Sequence, residues 1–188
     1  MKKTKMFMIA LCVASMVLGM MSSASALMII PGDADFSGIF PVNPNAADIA
    51  TIVGSETLFE LYKQDVGGPE SGPFAPSYVT EFSNTPTDPE DATITYVMGM
   101  PVISGDPIYL LVKDGNHDPI WYIFNLGLTG LPWNGTDTIY LQGFWPENGA
   151  ISHVSIYGPS TSVPEPTTLL LLGLGLVGVA GIRRTLKK

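Results

Sequence analysis

Residues 108–125 read IYLLVK-DGNHDP-IWYIFN, which is two apolar runs joined by a polar turn. Both runs are rich in the β-branched and aromatic residues that favour strands. The turn combines Gly, Asn, Asp and Pro, which are the residues that reverse the chain most readily. We therefore predict a β-hairpin with a long loop at 114–119.

The rest of the body repeats this pattern of short extended runs separated by turns. Further strands are predicted at 58–66, 78–82, 92–98, 138–141 and 150–157. Only residues 46–53 have a helical pattern, in which Ile49, Ile52 and Val53 share one face, and Asn45 can cap the helix. The pattern predicts a mainly β fold, an antiparallel β-sandwich of jelly-roll-like type with one short helix, and apolar helices at both ends of the chain.

Residues 1–26 are predicted to be a secretory signal peptide. Lysines at positions 2, 3 and 5 give it a positive start, and residues 6–21 form an apolar run. That run is shorter than the roughly 20 residues that a membrane span needs. Ala24-Ser25-Ala26 has the small-x-small pattern of a cleavage site. We therefore expect the secretion translocon to export the chain and cleavage to follow Ala26.

The C-terminal end has three parts in order. Pro164-Glu165-Pro166 is followed by an apolar segment at 169–182 and then by basic residues that begin with Arg183 and Arg184. The apolar segment reaches about 21 Å as a helix, against a hydrocarbon core of about 30 Å, so it is a marginal transmembrane segment suited to a temporary anchor. The basic end places the body outside the cytoplasm by the positive-inside rule.

These three parts resemble the PEP-CTERM sorting signal over residues 163–188. The resemblance implies recognition by an exosortase, a membrane cysteine protease that cuts near the Pro-Glu-Pro motif and releases the protein or transfers it to the outer surface. It also implies a link with exopolysaccharide production and biofilm formation. The alternative is a plain tail anchor, which explains the apolar segment and the basic tail but leaves the Pro-Glu-Pro motif without a role.

The predicted ectodomain, residues 27–162, is strongly acidic. The chain has 9 basic and 17 acidic residues, and Lys63 and Lys113 are the only Lys or Arg residues in this body. Nucleic-acid binding needs clustered basic residues, so nucleic acid is excluded as a partner class. The only cysteine is Cys12, inside the predicted signal peptide, so we expect no disulfide in the mature protein.

Large aromatic residues are the candidates for ligand contact. We expect Trp121 and Phe144 to lie in the core, because aromatic residues of a cysteine-free sandwich pack inside. Trp133 and Trp145 lie in Gly- and Pro-rich stretches. They are therefore the candidates for exposure and for stacking on the faces of sugar rings.

A calcium loop is suggested by Asp33-Ala34-Asp35-Phe36-Ser37-Gly38, with oxygen ligands at alternate positions and glycine sixth. The bidentate acid required at the twelfth position is replaced by Pro44, and Asp48 fits only a longer loop. We therefore predict no cofactor, with calcium as a minor alternative.

Neither a zinc site nor a catalytic set is predicted. His117 and His153 are the only histidines, so a zinc site would need Asp114 or Asp118 in addition. No Gly-x-Ser-x-Gly elbow occurs. The sequence thus predicts a non-enzymatic exported protein that is anchored in the inner membrane transiently and is then displayed on the cell surface or in the extracellular matrix. Its expected role in exopolysaccharide or biofilm is structural or adhesive. A carbohydrate-binding module that uses the loop tryptophans is the alternative, and a polymer hydrolase is less favoured.

Overall fold

Two β-sheets form the body of the protein in the computed structural model, which describes residues 26–83, 89–115, 117–127, 131–146 and 149–159. The smaller sheet has the strand order β1-β9-β6-β5, and the larger has the order β2-β8-β7-β10-β3-β4. The elements are β1 (Ala26–Ile29), β2 (Phe36–Gly38), α1 (Ala46–Val53), β3 (Phe59–Asp65), β4 (Glu70–Ser71), β5 (Tyr78–Phe82), β6 (Ala92–Tyr96), β7 (Tyr109–Asp114), β8 (Trp121–Asn125), β9 (Thr138–Leu141) and β10 (Ile151–Gly158).

The predicted mainly β architecture with one short helix is confirmed. Strands β7 and β8 pair antiparallel, with Lys113 opposite Trp121, as the hairpin prediction requires. Helix α1 begins after Asn45, whose side chain accepts the Asp48 N–H at 3.1 Å, while the Asp48 carboxylate accepts the Asn45 N–H at 2.9 Å. This reciprocal capping box fixes the helix start. The helix ends at Gly54, which has the left-handed φ of 70° that glycine adopts readily.

Three short strands, β1, β2 and β4, were not predicted from the sequence. They have two to four residues each, too few to show a period. Strand β1 also pairs parallel with β9, where the sequence predicted antiparallel pairing throughout. Among the strands that the structure describes, neither sheet closes on itself, and the jelly-roll arrangement stays a prediction.

Strand β7 of the larger sheet is buried on both faces, which explains its uninterrupted apolar run. Leu110 and Val112 point into the main core between the two sheets. Tyr109 and Leu111 point to the opposite face, where they form a second core with helix α1. A strand covered on both sides carries apolar residues at every position.

The predicted apolar helices at the two ends, including the segment at 169–182, lie outside the described residues. Within the described ranges, no helix has both the length and the apolar character that crossing a membrane requires. The domain boundaries 1–26, 27–162 and 163–188 stay predictions.

Candidate functional site

Trp145 is a core residue, so the expectation that it is exposed is wrong. It is 8% exposed, and its ring centroid lies 5.1 Å from that of Tyr122 and 5.8 Å from that of Phe144. Its indole Nε1–H donates to the Pro119 carbonyl at 2.8 Å. Its φ of 50° is the only positive value of a non-glycine residue among those described. The turn after β9 is thus held in an unusual conformation with its large ring packed inward.

Trp133 is half-buried and lines a cleft. Its ring centroid lies 5.7 Å from that of Tyr78, and its Nε1–H donates to the Asp137 carbonyl at 2.7 Å. The cleft has a volume of about 170 Å³, and its other lining residues are Gly105, Asp106, Leu126, Gly127 and Pro132. Ligand binding by Trp133 and Trp145 stays a prediction, and this cleft lies beside Trp133. The core placement of Trp121 and Phe144 is confirmed.

The acidic residues of the suggested calcium loop accept hydrogen bonds from backbone N–H groups. The Asp33 carboxylate accepts the Ile30 N–H at 3.1 Å, and the Asp35 carboxylate accepts the Asn125 N–H at 2.6 Å. Residues 36–38 form a strand, β2, and do not curve around a cation. Across the part of the chain that the structure describes, no three His, Cys, Asp or Glu side chains are placed to hold a metal.

The two histidines contact different acids. His117 Nδ1 lies 2.8 Å from a carboxylate oxygen of Asp114, and His153 Nδ1 lies 3.7 Å from a carboxylate oxygen of Asp65. The two histidines therefore do not share an acidic partner, as a zinc site built from both of them would require.

Lys63 and Lys113, the only two lysines of the predicted body, lie near each other on the face of the larger sheet that also carries the second core. The sequence did not predict this cluster. His153 of β10 lies opposite Asp65 of β3 and Lys113 of β7. Lys63 Nζ lies 3.3 Å from the Asp65 carboxylate. Lys113 is 4% exposed, and its Nζ donates to the Asp114 carbonyl at 2.6 Å. Both lysines lie on strands that the sequence predicts. Their proximity could be inferred only from the strand order, which the sequence pattern does not give.

Burial sets the protonation of this group. Burial, the largest effect, acts together with the nearby Lys63 and Lys113 to lower the pKa of His153 to about 4, against the opposing effect of Asp65. Burial also lowers the pKa of Lys113. His153 is therefore neutral at neutral pH, and only the lysines supply positive charge here.

The last strand leads directly into the C-terminal segment. Strand β10 lies between β7 and β3, near the centre of the larger sheet, and it ends at Gly158. Pro159, the residue after this strand, packs closely against Gly105, because a Cβ atom placed on Gly105 would lie 3.0 Å from Pro159 Cγ.

A family model described as the PEP-CTERM protein-sorting motif matches residues 162–184. The chain carries this sorting motif. The sorting motif is consistent with an exosortase substrate, and it implies an exported protein at the cell surface or outside the cell. Neither a curated protein nor a solved structure matches the chain.

The predicted sorting residues fall inside this match but outside the described residues: Pro164, Glu165, Pro166, Arg183 and Arg184. Their individual roles stay predictions. Ala24, at the predicted signal cleavage site, also lies outside the described residues, and Ala26 is the first residue of β1. Cleavage after Ala26 stays a prediction, and it would leave residues 27–29 of the strand paired with β9.

Proposed function

We propose that this chain is a non-enzymatic structural or adhesive protein of the cell surface or exopolysaccharide matrix. The observation that carries the proposal is the sorting motif at 162–184, which begins four residues after the last strand of the sandwich. A folded body followed at once by a removable membrane-sorting tail fits a protein whose task lies outside the cell.

The charge of the body supports delivery away from the membrane. Cleavage near Pro164-Glu165-Pro166 removes the apolar segment and the C-terminal basic residues together. The remaining body carries Lys63 and Lys113 as its only Lys or Arg residues. Since Lys113 is almost fully buried, the body presents little positive charge to the anionic surface of a membrane.

The arrangement of the polar side chains supports a structural role. Asp33, Asp35 and Asp48 each accept a backbone N–H, so these carboxylates stabilise turns and the helix start. The Tyr62 and Thr80 hydroxyl groups pair inside the core at 2.7 Å. These polar side chains make hydrogen bonds that stabilise the fold.

A carbohydrate-binding module is the second candidate, and the cleft beside Trp133 favours it. An indole ring at the wall of a cleft that also holds the Asp106 carboxylate combines a stacking surface with a hydrogen-bond acceptor. The candidate now depends on Trp133 alone, because Trp145 is buried.

The sorting model is tested by the intact mass of the protein from cell-associated and medium fractions of the native host, with and without its exosortase. We expect a species that lacks residues 1–26 and everything beyond the Pro-Glu-Pro region, and we expect it only when the exosortase is present. A protein that keeps residues 169–188 despite an active exosortase would be a plain tail anchor and would contradict the proposal.

The two candidate roles are separated by binding of the purified body to host exopolysaccharide. A structural protein shows no saturable sugar binding. A binding module loses about 1–3 kcal/mol of binding free energy in Trp133→Ala, and it keeps most of its affinity in Trp133→Phe, which retains an aromatic ring. Release of reducing ends from the polymer would contradict both roles and indicate a hydrolase.

A further inference from the structure

The start of the first described strand and the end of the last one lie at the same end of the sandwich. Strand β1 starts at Ala26, opposite Thr138, the first residue of β9. Strand β10 finishes at Gly158, opposite Phe59, the first residue of β3. The chain therefore enters the smaller sheet at the start of β1 and leaves the larger sheet at the end of β10. Contacts between the two sheets show that these two positions lie at the same end.

Hydrogen bonds around Trp133 join these two positions. Its Nε1–H donates to the Asp137 carbonyl, the residue before β9, and its backbone N–H donates to the Leu126 carbonyl at 3.0 Å. The Leu126 N–H in turn donates to the Ile108 carbonyl at 2.8 Å, and Ile108 packs against Gly158. We name this end, which comprises Ala26, Thr138, Trp133, Ile108 and Gly158, the tether end.

The opposite end of the sandwich is defined by an independent set of contacts. The Ile151 N–H, at the start of β10, donates to the Pro89 carbonyl at 2.8 Å. The Phe144 N–H donates to the Glu90 carbonyl at 2.9 Å, beside the start of β6. We name this end the distal end. Strand β10 has eight residues, so the two ends are separated by about 26 Å.

We propose that the tether end faces the membrane while the precursor is anchored, and that the distal end points away from it. This inference rests on the proposed export and sorting of the chain. Both membrane-linked segments, the predicted signal peptide and the sorting tail, leave from the tether end. They can therefore occupy one membrane at the same time without crossing the length of the folded body.

The lengths of the connecting segments agree with this orientation. Ten residues, 159–168, separate β10 from the apolar segment, and they reach at most about 36 Å. Four residues, 22–25, separate the N-terminal apolar run from β1 and reach at most about 14 Å. Placing the distal end at the membrane would use most of the longer reach and exceed the shorter one.

Chain connectivity, and not adsorption, holds the tether end near the lipid. Asp106 lines the cleft at this end and Asp137 lies beside it. Lys63 and Lys113 lie on the half of the larger sheet toward the distal end. Anionic lipid headgroups therefore repel the tether end, and removal of both membrane-linked segments abolishes the association with the membrane.

Two exposed turn residues make a matched pair of probe sites. Met98 is 93% exposed in the turn after β6, at the tether end, because the preceding Val97 N–H donates to Ser77 beside the start of β5. Phe40 is 75% exposed at the distal end, next to Pro41, whose carbonyl accepts the Trp121 indole N–H. Substitutions at such positions change stability by only about 0.5 kcal/mol.

The test places one fluorophore on the full-length precursor in membranes of a host without exosortase, in a Cys12→Ser background that carries either Met98→Cys or Phe40→Cys. Energy transfer to acceptor-labelled lipids is then measured. We expect about twofold or greater transfer from position 98, because the β10 strand separates the two heights by about 26 Å. Equal transfer, or greater transfer from position 40, overturns the proposal.

A second pair guards against a local effect of either substitution. Thr136→Cys at the tether end and Asp118→Cys at the distal end occupy exposed positions and should reproduce the same order of transfer. Chains of residues 27–162, which lack both membrane-linked segments, should show no transfer from any position, and transfer from them would overturn the claim that connectivity holds the tether end. Because the host lacks exosortase, the orientation is measured whether or not the tail is ever cleaved, so its failure is distinct from failure of the sorting model.

Discussion

One hydroxyl group, that of Tyr78, bridges two backbone segments in the core. It donates to the Gly135 carbonyl at 2.9 Å and accepts the Ile103 N–H at 2.9 Å, and Tyr78 is 1% exposed. Burial raises the pKa of this hydroxyl, so it stays protonated across the physiological range. Tyr78→Phe removes both hydrogen bonds without changing the ring. Each of the two backbone groups deprived of its partner costs about 1–3 kcal/mol, so we expect a loss of about 2–6 kcal/mol in the free energy of unfolding.

The loss is measured by urea denaturation of the chain from Leu27 to Ser162, followed by tryptophan fluorescence. With a slope of about 2 kcal/mol/M, the midpoint should fall by about 1–3 M while the slope stays unchanged. Tyr140→Phe is the matched control, because Tyr140 is 43% exposed and should change stability by about 0.5 kcal/mol or less. Equal midpoints for the two variants would refute the bridging role of Tyr78.

Three further predictions concern His153, Asn45 and Trp145. Because the pKa of folded His153 is about 4, below the unfolded value of 6.5, its neutral form adds stability above pH 6.5 that is lost as the pH falls toward 4. The contribution is about 3 kcal/mol, and His153→Gln should remove that part of the pH dependence in urea titrations. Asn45→Ala removes the side-chain cap of α1 and should cost about 1 kcal/mol in the same assay, whereas unchanged stability would contradict its capping role. Trp145→Ala should cost about 3–5 kcal/mol, and a loss below about 1 kcal/mol would contradict its place in the core.

The elements predicted well from the sequence are those specified by neighbouring residues. The β7–β8 hairpin follows from two apolar runs on either side of a turn, and helix α1 follows from a cap, an apolar face and a closing glycine. Each signal lies within about eight to eighteen residues, so no knowledge of the partner strands is needed.

The features that the sequence did not reveal depend on contacts between distant residues. Trp145 lies in a Gly- and Pro-rich stretch typical of exposed loops, but the Pro119 carbonyl and the Tyr122 ring hold it inside. Lys63 and Lys113 are fifty residues apart in sequence and become neighbours only because β10 lies between β3 and β7. Strand order is a property of the whole chain and leaves no local pattern.

The position of β10 also limits where the tail can be cut. This strand pairs with β7 on one side and β3 on the other, so removal of its residues would break the ladders of both neighbours. The side chains of Val154 and Ile156 are fully buried in the main core, and their loss would cost several kcal/mol. A cut after Gly158 leaves these contacts intact, and the sorting motif begins only at residue 162. The fold and the sorting motif therefore meet at a boundary where the tail can be removed while all ten described strands remain paired.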